Sequence, residues 1–348
     1  MTDSNVQRKR VLVLGGTVYL SREIARLAAE RGHEVTVAAR GTSGAAPEGV
    51  EFVRIDRAEA GGVDALRGRE FDAVFDVARL PGLVGPVLDA LAEGAGHWSF
   101  VSSISAYARH DVVSDELHEP TAPDSVDPAL ERYGASKVAC ENLVRERLGD
   151  RALVSRPGLI VGPGDPNDRL GYWPLRLAEG GEVLAPGDPE RPVQWIDVAD
   201  YAAWLLDAAE AGLSGTFDVI GEPVGMGAFL EGIADALAGA GIIAERPSLT
   251  WVEQEFVSKH GVNHWAGPQS LGLWVPSPEY DGFGARPSAP AVAAGLRLSP
   301  LADTIKRWWE ANTEAPQLIA GITREKEGAV LGAWHDRTRR FAVPQAEA

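Results

Sequence analysis

The chain has 348 residues, 45% hydrophobic and 24% charged, with a formal net charge of −17, which suits a folded protein of one large domain plus a smaller lobe. A surface that acidic repels nucleic-acid phosphates and anionic lipid headgroups, so neither nucleic acid nor membrane is an expected partner, although a local basic pocket can still hold an anionic cofactor. A single cysteine, Cys140, excludes an intrachain disulfide and points to a reducing, cytoplasmic setting.

In "MTDSNVQRKRVLVLG" a polar, basic start is followed by only four apolar residues before Gly15, too few for a signal-peptide core. No stretch approaches the ~18 apolar residues of a membrane span. "RVLVLG" (10–15) predicts a buried strand, and "SREIARLAAERG" a helix with Ile24, Leu27 and Ala28 on one face, ending at Gly32. "HEVTVAA" and "VEFVRID" predict the second and third strands, "VDALRGRE" a short helix, and "FDAVFDVA" the fourth strand. "PVLDALAEGAG" predicts a helix, "HWSFVSS" the fifth strand, Pro128 to Leu148 a longer helix, and "ALVSRPGLIVG" the sixth strand. Cys140 falls inside that longer helix and reads as a small packed hydrophobe rather than a nucleophile.

Strands alternating with helices at this spacing predict an α/β fold, a Rossmann-type doubly wound parallel sheet over 9–163, with ligands at the carboxyl ends of its strands. Beyond Gly162 the chain turns rich in Gly, Pro, Asp and Trp, and 164–335 reads mainly as a smaller C-terminal α/β substrate lobe. Segments around 193–220, "VQWIDVADYAAWLLDAAEAG" and "GTFDVIG", return to the sheet. "MGAFLEGIADALAG" and "LADTIKRWWEAN" predict helices, 252–300 resists assignment, and 336–348 reads as a tail.

The first turn, "GGTVYLS" (15–21), resembles a dinucleotide cradle with glycines missing, because Val18 and Ser21 stand where a G-x-x-G-x-x-G register puts them. Gly15 keeps the tight turn, Ser21 is small enough for close helix packing, and Val18 still offers its amide although a β-branched residue resists positive φ. Gly15, Thr17, Val18, Tyr19 and Leu20 are the expected phosphate contacts, aided by the helix dipole; the alternative is a plain strand-to-helix turn. At the end of the second strand, "VAARG" puts Arg40 where an NAD-binding sheet carries an acid. An arginine fork there suits a 2′-phosphate, so NADP(H) is favoured and NAD(H) remains possible; otherwise Arg40 is a solvated surface residue. Asp56, ending the third strand, is placed to accept from the adenine amino group or to cap the next turn.

"FVSSISAY" ends the fifth strand, and "YGASK" follows about 30 residues later. Tyr133 and Lys137, four apart on a helix, face the same way. A neighbouring ammonium favours the phenolate form, so such a tyrosine can exchange a proton with a carbonyl or alcohol oxygen that a strand-end serine orients.

With these motifs the chain resembles the extended short-chain dehydrogenase/reductases, the NAD-dependent epimerase/dehydratase family, over roughly residues 9 to 312. The resemblance rests on "GGTVYLS", "FDAVFDVA", "FVSSISAY", "YGASK", "RPGLIVGPG" and "RPVQWIDVAD". It is most similar to the atypical branch whose turn starts G-G-T followed by a non-glycine residue. The resemblance implies Ser103, four before Tyr107, as the catalytic serine rather than Ser102. It implies Tyr133 as acid/base and Lys137 as its partner and a ligand of the nicotinamide ribose. Pro157 to Leu159 would lie along the nicotinamide, with Ala78 and Arg79 also against the cofactor. Family dehydratases carry Asp-Glu after the catalytic serine; Ile104 and Ser105 here argue against 4,6-dehydration. "DVAR" replaces a common His-x-Ala-Ala, leaving Asp76 and Arg79 as either a local strand-end pair or functional residues.

Arg169, Arg191 and Gln194 sit in loops that reach substrate in this family, and Trp173, Trp195, Trp265 and Trp274 either wall a pocket or fill a core. His260 and His264 lack a third partner, so no metal is expected. The reading is an NADP(H)-dependent oxidoreductase that reduces a carbonyl of a small molecule, working as a monomer or homodimer. A nucleotide-sugar epimerase with retained NAD(P) is the alternative. A non-catalytic NADP-binding sensor or RNA-binding relative is a third reading, opposed by the Ser-Tyr-Lys set and the negative charge.

Overall fold

A computed structural model describes residues 8–312 and 318–342. The chain divides into two compact units: Met1–Ile160 with Trp195–Glu222 and Arg286–Leu298, and Val161–Gln194 with Pro223–Ala285 and Ser299–Ala348.

The first unit is built on seven parallel strands: β1 (Arg10–Leu14), β2 (Glu34–Ala39), β3 (Glu51–Arg54), β4 (Ala73–Asp76), β5 (Trp98–Val101), β6 (Ala152–Pro157) and β7 (Gly215–Val219). Their order is β7-β6-β5-β4-β1-β2-β3, the Rossmann-type α/β fold. The order reverses between β1 and β4, where Leu14 pairs with Asp76, and the crevice beyond those two strand ends is where such sheets bind ligands. Val11 to Leu14 are all buried because helices cover both faces, which is why β1 reads as an unbroken apolar run. On one face α1 (Tyr19–Glu30) packs on α4 (Val198–Ala211), with Ile24, Ala25 and Ala28 in one core with Tyr201, Trp204 and Leu205. On the other, α2 (Pro81–Leu91) meets α3 (Tyr133–Leu148) through Val84, Leu88, Cys140 and Val144.

Three expectations need correction. The helix expected from Pro128 starts as α3 at Tyr133, after a single 3-10 turn at Leu130–Arg132. The reason is tertiary: a Cβ at Gly134 would fall 2.0 Å from Ser105 O, so the first turn of α3 lies directly on the segment after β5. The helix expected in 63–70 is one 3-10 turn, Asp64–Leu66, bracketed by Gly61 and Gly68 at positive φ. In the second unit, a helix at Arg324–Ala342 runs through most of the expected tail; its Glu327 is buried, pairing with Arg176 at 2.6 Å and accepting from Leu184 N. Residues 343–348, and 1–7 of the basic start, lie outside the described residues.

The second unit also holds a parallel strand pair, Glu182–Pro186 with Ser248–Val252. Helices Tyr172–Ala178, Met226–Gly239 and Leu301–Ala311 belong to it as well. No helix among the described residues is long and apolar enough to cross a membrane.

Candidate functional site

The loop from β1 to α1 needs its glycines. Gly15 and Gly16 have φ of +110° and +67°, a region that L side chains rarely adopt. A Cβ on Gly16 would sit 2.7 Å from Val37 Cγ2 on β2, and one on Gly15 3.3 Å from Ser21 Oγ. The missing glycines are accommodated by a shift of register. Val18 stays extended (φ −139°), and the left-handed residue is Tyr19 (φ 47°). Ser21 is buried, and its hydroxyl donates to Val18 O at 2.9 Å, tying the turn to the helix instead of facing a ligand.

Beyond this turn lies a cleft of about 330 Å³ lined by Gly15, Thr17, Val18 and Ser21, by Arg40 to Ser43 after β2, by Ile55 to Ala58 after β3, and by Val77 and Ala78 after β4. Tyr19, Leu20 and Arg79 are not part of its lining. Arg40 is exposed and makes no hydrogen bond or ion pair among the described residues. Asp56 Oδ1 accepts from Ala58 N at 3.0 Å and thus caps the turn it starts. A glycine turn, amides at a helix start and an unpaired arginine at the rim suit the phosphates and adenosine end of a dinucleotide. The lining therefore fits the cofactor expected from the motifs.

Asp76 and Arg79 do not pair. Asp76 is fully buried; its Oδ1 accepts from Arg57 Nη1 at 2.8 Å and from Ala78 N at 3.0 Å, and its Oδ2 has no hydrogen-bond partner among the described residues. Arg79 instead lies over the ring of Tyr133, with Cζ 5.2 Å from the centroid. The sheet register, which sequence spacing does not reveal, decides this exchange of partners.

Ser103 comes from the end of β5, and Tyr133 and Lys137 from the first two turns of α3. Ser103 leaves β5 extended and caps the 3-10 turn Ile104–Ala106 by accepting from Ser105 N at 3.1 Å. That bond uses a lone pair and leaves the hydroxyl hydrogen available to a ligand oxygen. Tyr133, half-buried, opens α3 directly against this turn. One helical turn later Lys137, buried, donates to Ala78 O at 2.7 Å and to Val101 O at 2.6 Å, with Nζ 6.0 Å from the centroid of the Tyr133 ring. The two carbonyls come from the ends of β4 and β5, so the ammonium stitches the face of α3 that carries Tyr133 and Lys137 to the carboxyl edge of the sheet. Leu159, past β6, is buried and its carbonyl accepts from Ile196 N at 2.8 Å.

Sequence reasoning missed a charged network beside these residues. Glu141, one turn beyond Lys137, is fully buried and accepts from Arg156 through Nε (2.9 Å) and Nη2 (2.6 Å), from Arg145, and from the Ser102 hydroxyl. Burial alone would raise its pKa, but the Arg156 hydrogen bonds and charge outweigh that and hold the carboxyl below its usual range. Ser102 is thereby committed, which leaves Ser103 as the serine with a free donor. Tyr107 is stacked by Arg156 (4.8 Å) and Arg286 (3.5 Å) and donates to Asp218 Oδ1 at 2.8 Å. The i+4 run Tyr133, Lys137, Glu141 was the available sign, a charged position continuing the face that carries the tyrosine and the lysine.

The remaining substrate candidates belong to the second unit, except Trp195, which is in the first. Trp173 is fully buried, with its indole N–H on Gly272 O at 2.8 Å, and Trp274 is 1% exposed; both are core, not walls of an open pocket. Gln194 is also buried. Arg169 pairs with Asp165 at 3.2 Å and lies over Trp265. Arg191, held by Asp281 at 2.7 Å, lines a separate cleft of about 580 Å³ with Trp251 and Trp334. His260 turns its Nδ1 to Phe256 O and stacks on that ring. Among the described residues no three His, Cys, Asp or Glu groups are placed to hold a metal.

The comparisons with known proteins agree with this architecture. Residues 82–221 match the NAD dependent epimerase/dehydratase family. The chain is similar to 2'-dehydrokanamycin reductase of Streptomyces kanamyceticus, 33% identical over 210 residues, covering 58% of this chain and 56% of that protein. It is also similar to the chloroplast stem-loop binding protein of 41 kDa b of Arabidopsis thaliana, 26% identical over 266 residues, covering 71% of this chain and 67% of that protein. The match thus spans little more than half of the reductase and two thirds of the stem-loop binding protein. Among solved structures, the Bordetella bronchiseptica enzyme WbmH in complex with NAD+ has the same fold, with a TM-score of 0.59 at 20% identity over 88% of this chain and 99% of that one. Over residues 82–221, therefore, the chain is similar to the NAD dependent epimerase/dehydratase family, and its fold is the Rossmann-type α/β fold of WbmH.

Proposed function

We propose that the chain is an NADP(H)-dependent oxidoreductase that reduces a carbonyl of a small molecule, with Ser103, Tyr133 and Lys137 as its proton-handling set. The observation that carries this reading is the convergence of the three at the carboxyl end of β5, in the unit whose switch-point cleft is rimmed by the unpaired Arg40. A bound nicotinamide would supply the hydride. Ser103 would donate its free hydroxyl hydrogen to the substrate oxygen and fix its position. Tyr133 would deliver the proton to that oxygen as the carbonyl becomes an alcohol, and Lys137, anchored on two carbonyls, would keep a positive charge beside the phenol as it loses that proton.

Similarity to 2'-dehydrokanamycin reductase favours net reduction, and the family description keeps epimerisation as a second reading. An epimerase would turn over without net consumption of NADPH. The stem-loop binding relative raises RNA as a third possibility, which a net charge of −17 opposes.

The test is NADPH oxidation against a panel of ketones and keto sugars. Tyr133→Phe should lower kcat/KM by about 10²–10⁴-fold while leaving NADPH binding in place. Undiminished turnover by Tyr133→Phe would remove the tyrosine from the chemistry.

A further inference from the structure

Arg40 shares its cleft with a second arginine whose setting is quite different. Ile55 N donates to Ala39 O at 3.1 Å, so the chain leaves β2 and β3 side by side, and Arg57 lines the same cleft as Arg40 and Thr42. Where Arg40 is exposed, the Arg57 side chain is only 14% exposed and is held through Nη1 on Asp76 Oδ1 at 2.8 Å. Asp76 is itself fixed, because it is fully buried at the end of β4 and the same oxygen accepts from Ala78 N. Among the described residues Asp76 is the one partner of Arg57, so Nε and Nη2 remain as donors. A guanidinium held by one nitrogen with others open has lost its rotamer freedom in advance and can present a fork to an anion.

We propose that Arg57 is the second arm of the site for the cofactor's 2′-phosphate, with Asp76 as the positioning residue that aims its guanidinium. The proposal rests on reading the cleft as an NADP site. In a chain with a net charge of −17, an exposed arginine such as Arg40 is a screened and weak contact for a dianion. A second, oriented arginine strengthens that contact. The competing account is that Arg57 merely neutralises Asp76, in which case its loss would harm the fold and every adenosine ligand alike.

The two accounts separate by calorimetric titration with adenosine 2′,5′-bisphosphate and adenosine 5′-monophosphate, which differ by the phosphate in question and need no turnover. Arg57→Gln should weaken the bisphosphate by about 10–100-fold, the worth of a charge-assisted hydrogen bond, and the monophosphate by less than about threefold. Asp76→Ala should lower the ratio of the two affinities in the same direction. On the Arg57→Gln background it should change the ratio no further, which a purely structural role would not produce. Melting curves accompany each variant; if either single variant unfolds, Arg57→Gln/Asp76→Asn, which removes both charges together, carries the comparison. An unchanged ratio, or equal loss for both probes, overturns the role of Arg57. Failure of the wild type to bind either probe overturns the cofactor reading itself.

Discussion

Replacing Glu141 by glutamine removes one charge from a pair that water does not reach. The Glu141 side chain is fully buried and that of Arg156 is 7% exposed, with two hydrogen bonds between them of 2.9 and 2.6 Å. Glutamine keeps the shape but turns an N–H₂ donor toward donors, leaving a buried guanidinium without its counter-charge. Breaking a buried pair in this way costs about 3–5 kcal/mol, a large part of the roughly 5–15 kcal/mol that holds a domain. The pH dependence follows from the direction of the carboxyl's shift. Burial would raise it, but the Arg156 bonds and charge win and lower it. Its contribution is therefore complete above the ordinary unfolded value of about 4.3 and is lost as pH falls through the lower folded value. Urea denaturation of wild type and Glu141→Gln at neutral pH should show the full difference, and the difference should shrink as pH falls below the ordinary carboxylate range. A loss under about 1 kcal/mol, the scale of an exposed pair, or a loss that does not change with pH, would refute the assignment of a charged, buried pair.

Two further outcomes follow from the same unit. Gly16→Ala puts a methyl 2.7 Å from Val37 Cγ2 at a φ of +67° and should cost about 1–3 kcal/mol, read as a lower melting temperature together with weaker NADPH binding; an unshifted melt would contradict the close approach. Cys140 is fully buried, and burial pushes its thiol up to about 12, so an aromatic disulfide reagent should label it only in denaturant. Rapid labelling of the native protein would contradict its place in the core.

Much of the fold was legible because it is written in local periodicity. The helix at Met226–Gly239 has the limits of its amphipathic repeat, and β1 and β2 appear as the apolar runs that a sheet covered on both faces requires. What the sequence concealed depends on distant partners. The start of α3 is set by the contact of Gly134 with Ser105 O, and Glu182–Pro186 is a strand because Ser248–Val252 lies beside it. The sequence leaves Asp76 and Arg79 as either a local pair or functional residues, whereas the fold brings Arg57 to Asp76 and Arg79 over Tyr133. The Y-x-x-x-K spacing and the strand-end serine were visible as types and intervals. Glu141 was not, since nothing in a helix of mixed polarity marks one carboxylate as the buried one until Arg156 is seen across from it.

The proposed function requires that the switch-point cleft hold a nicotinamide dinucleotide and prefer the 2′-phosphorylated form. Thermal stabilisation of the wild type and Arg40→Ala by NADPH and by NADH tests it most directly. The account predicts a larger shift with NADPH than with NADH at equal concentration, reduced toward the NADH value in Arg40→Ala. Equal shifts in the wild type would contradict the preference for NADP(H), and no shift with either would contradict the account as a whole.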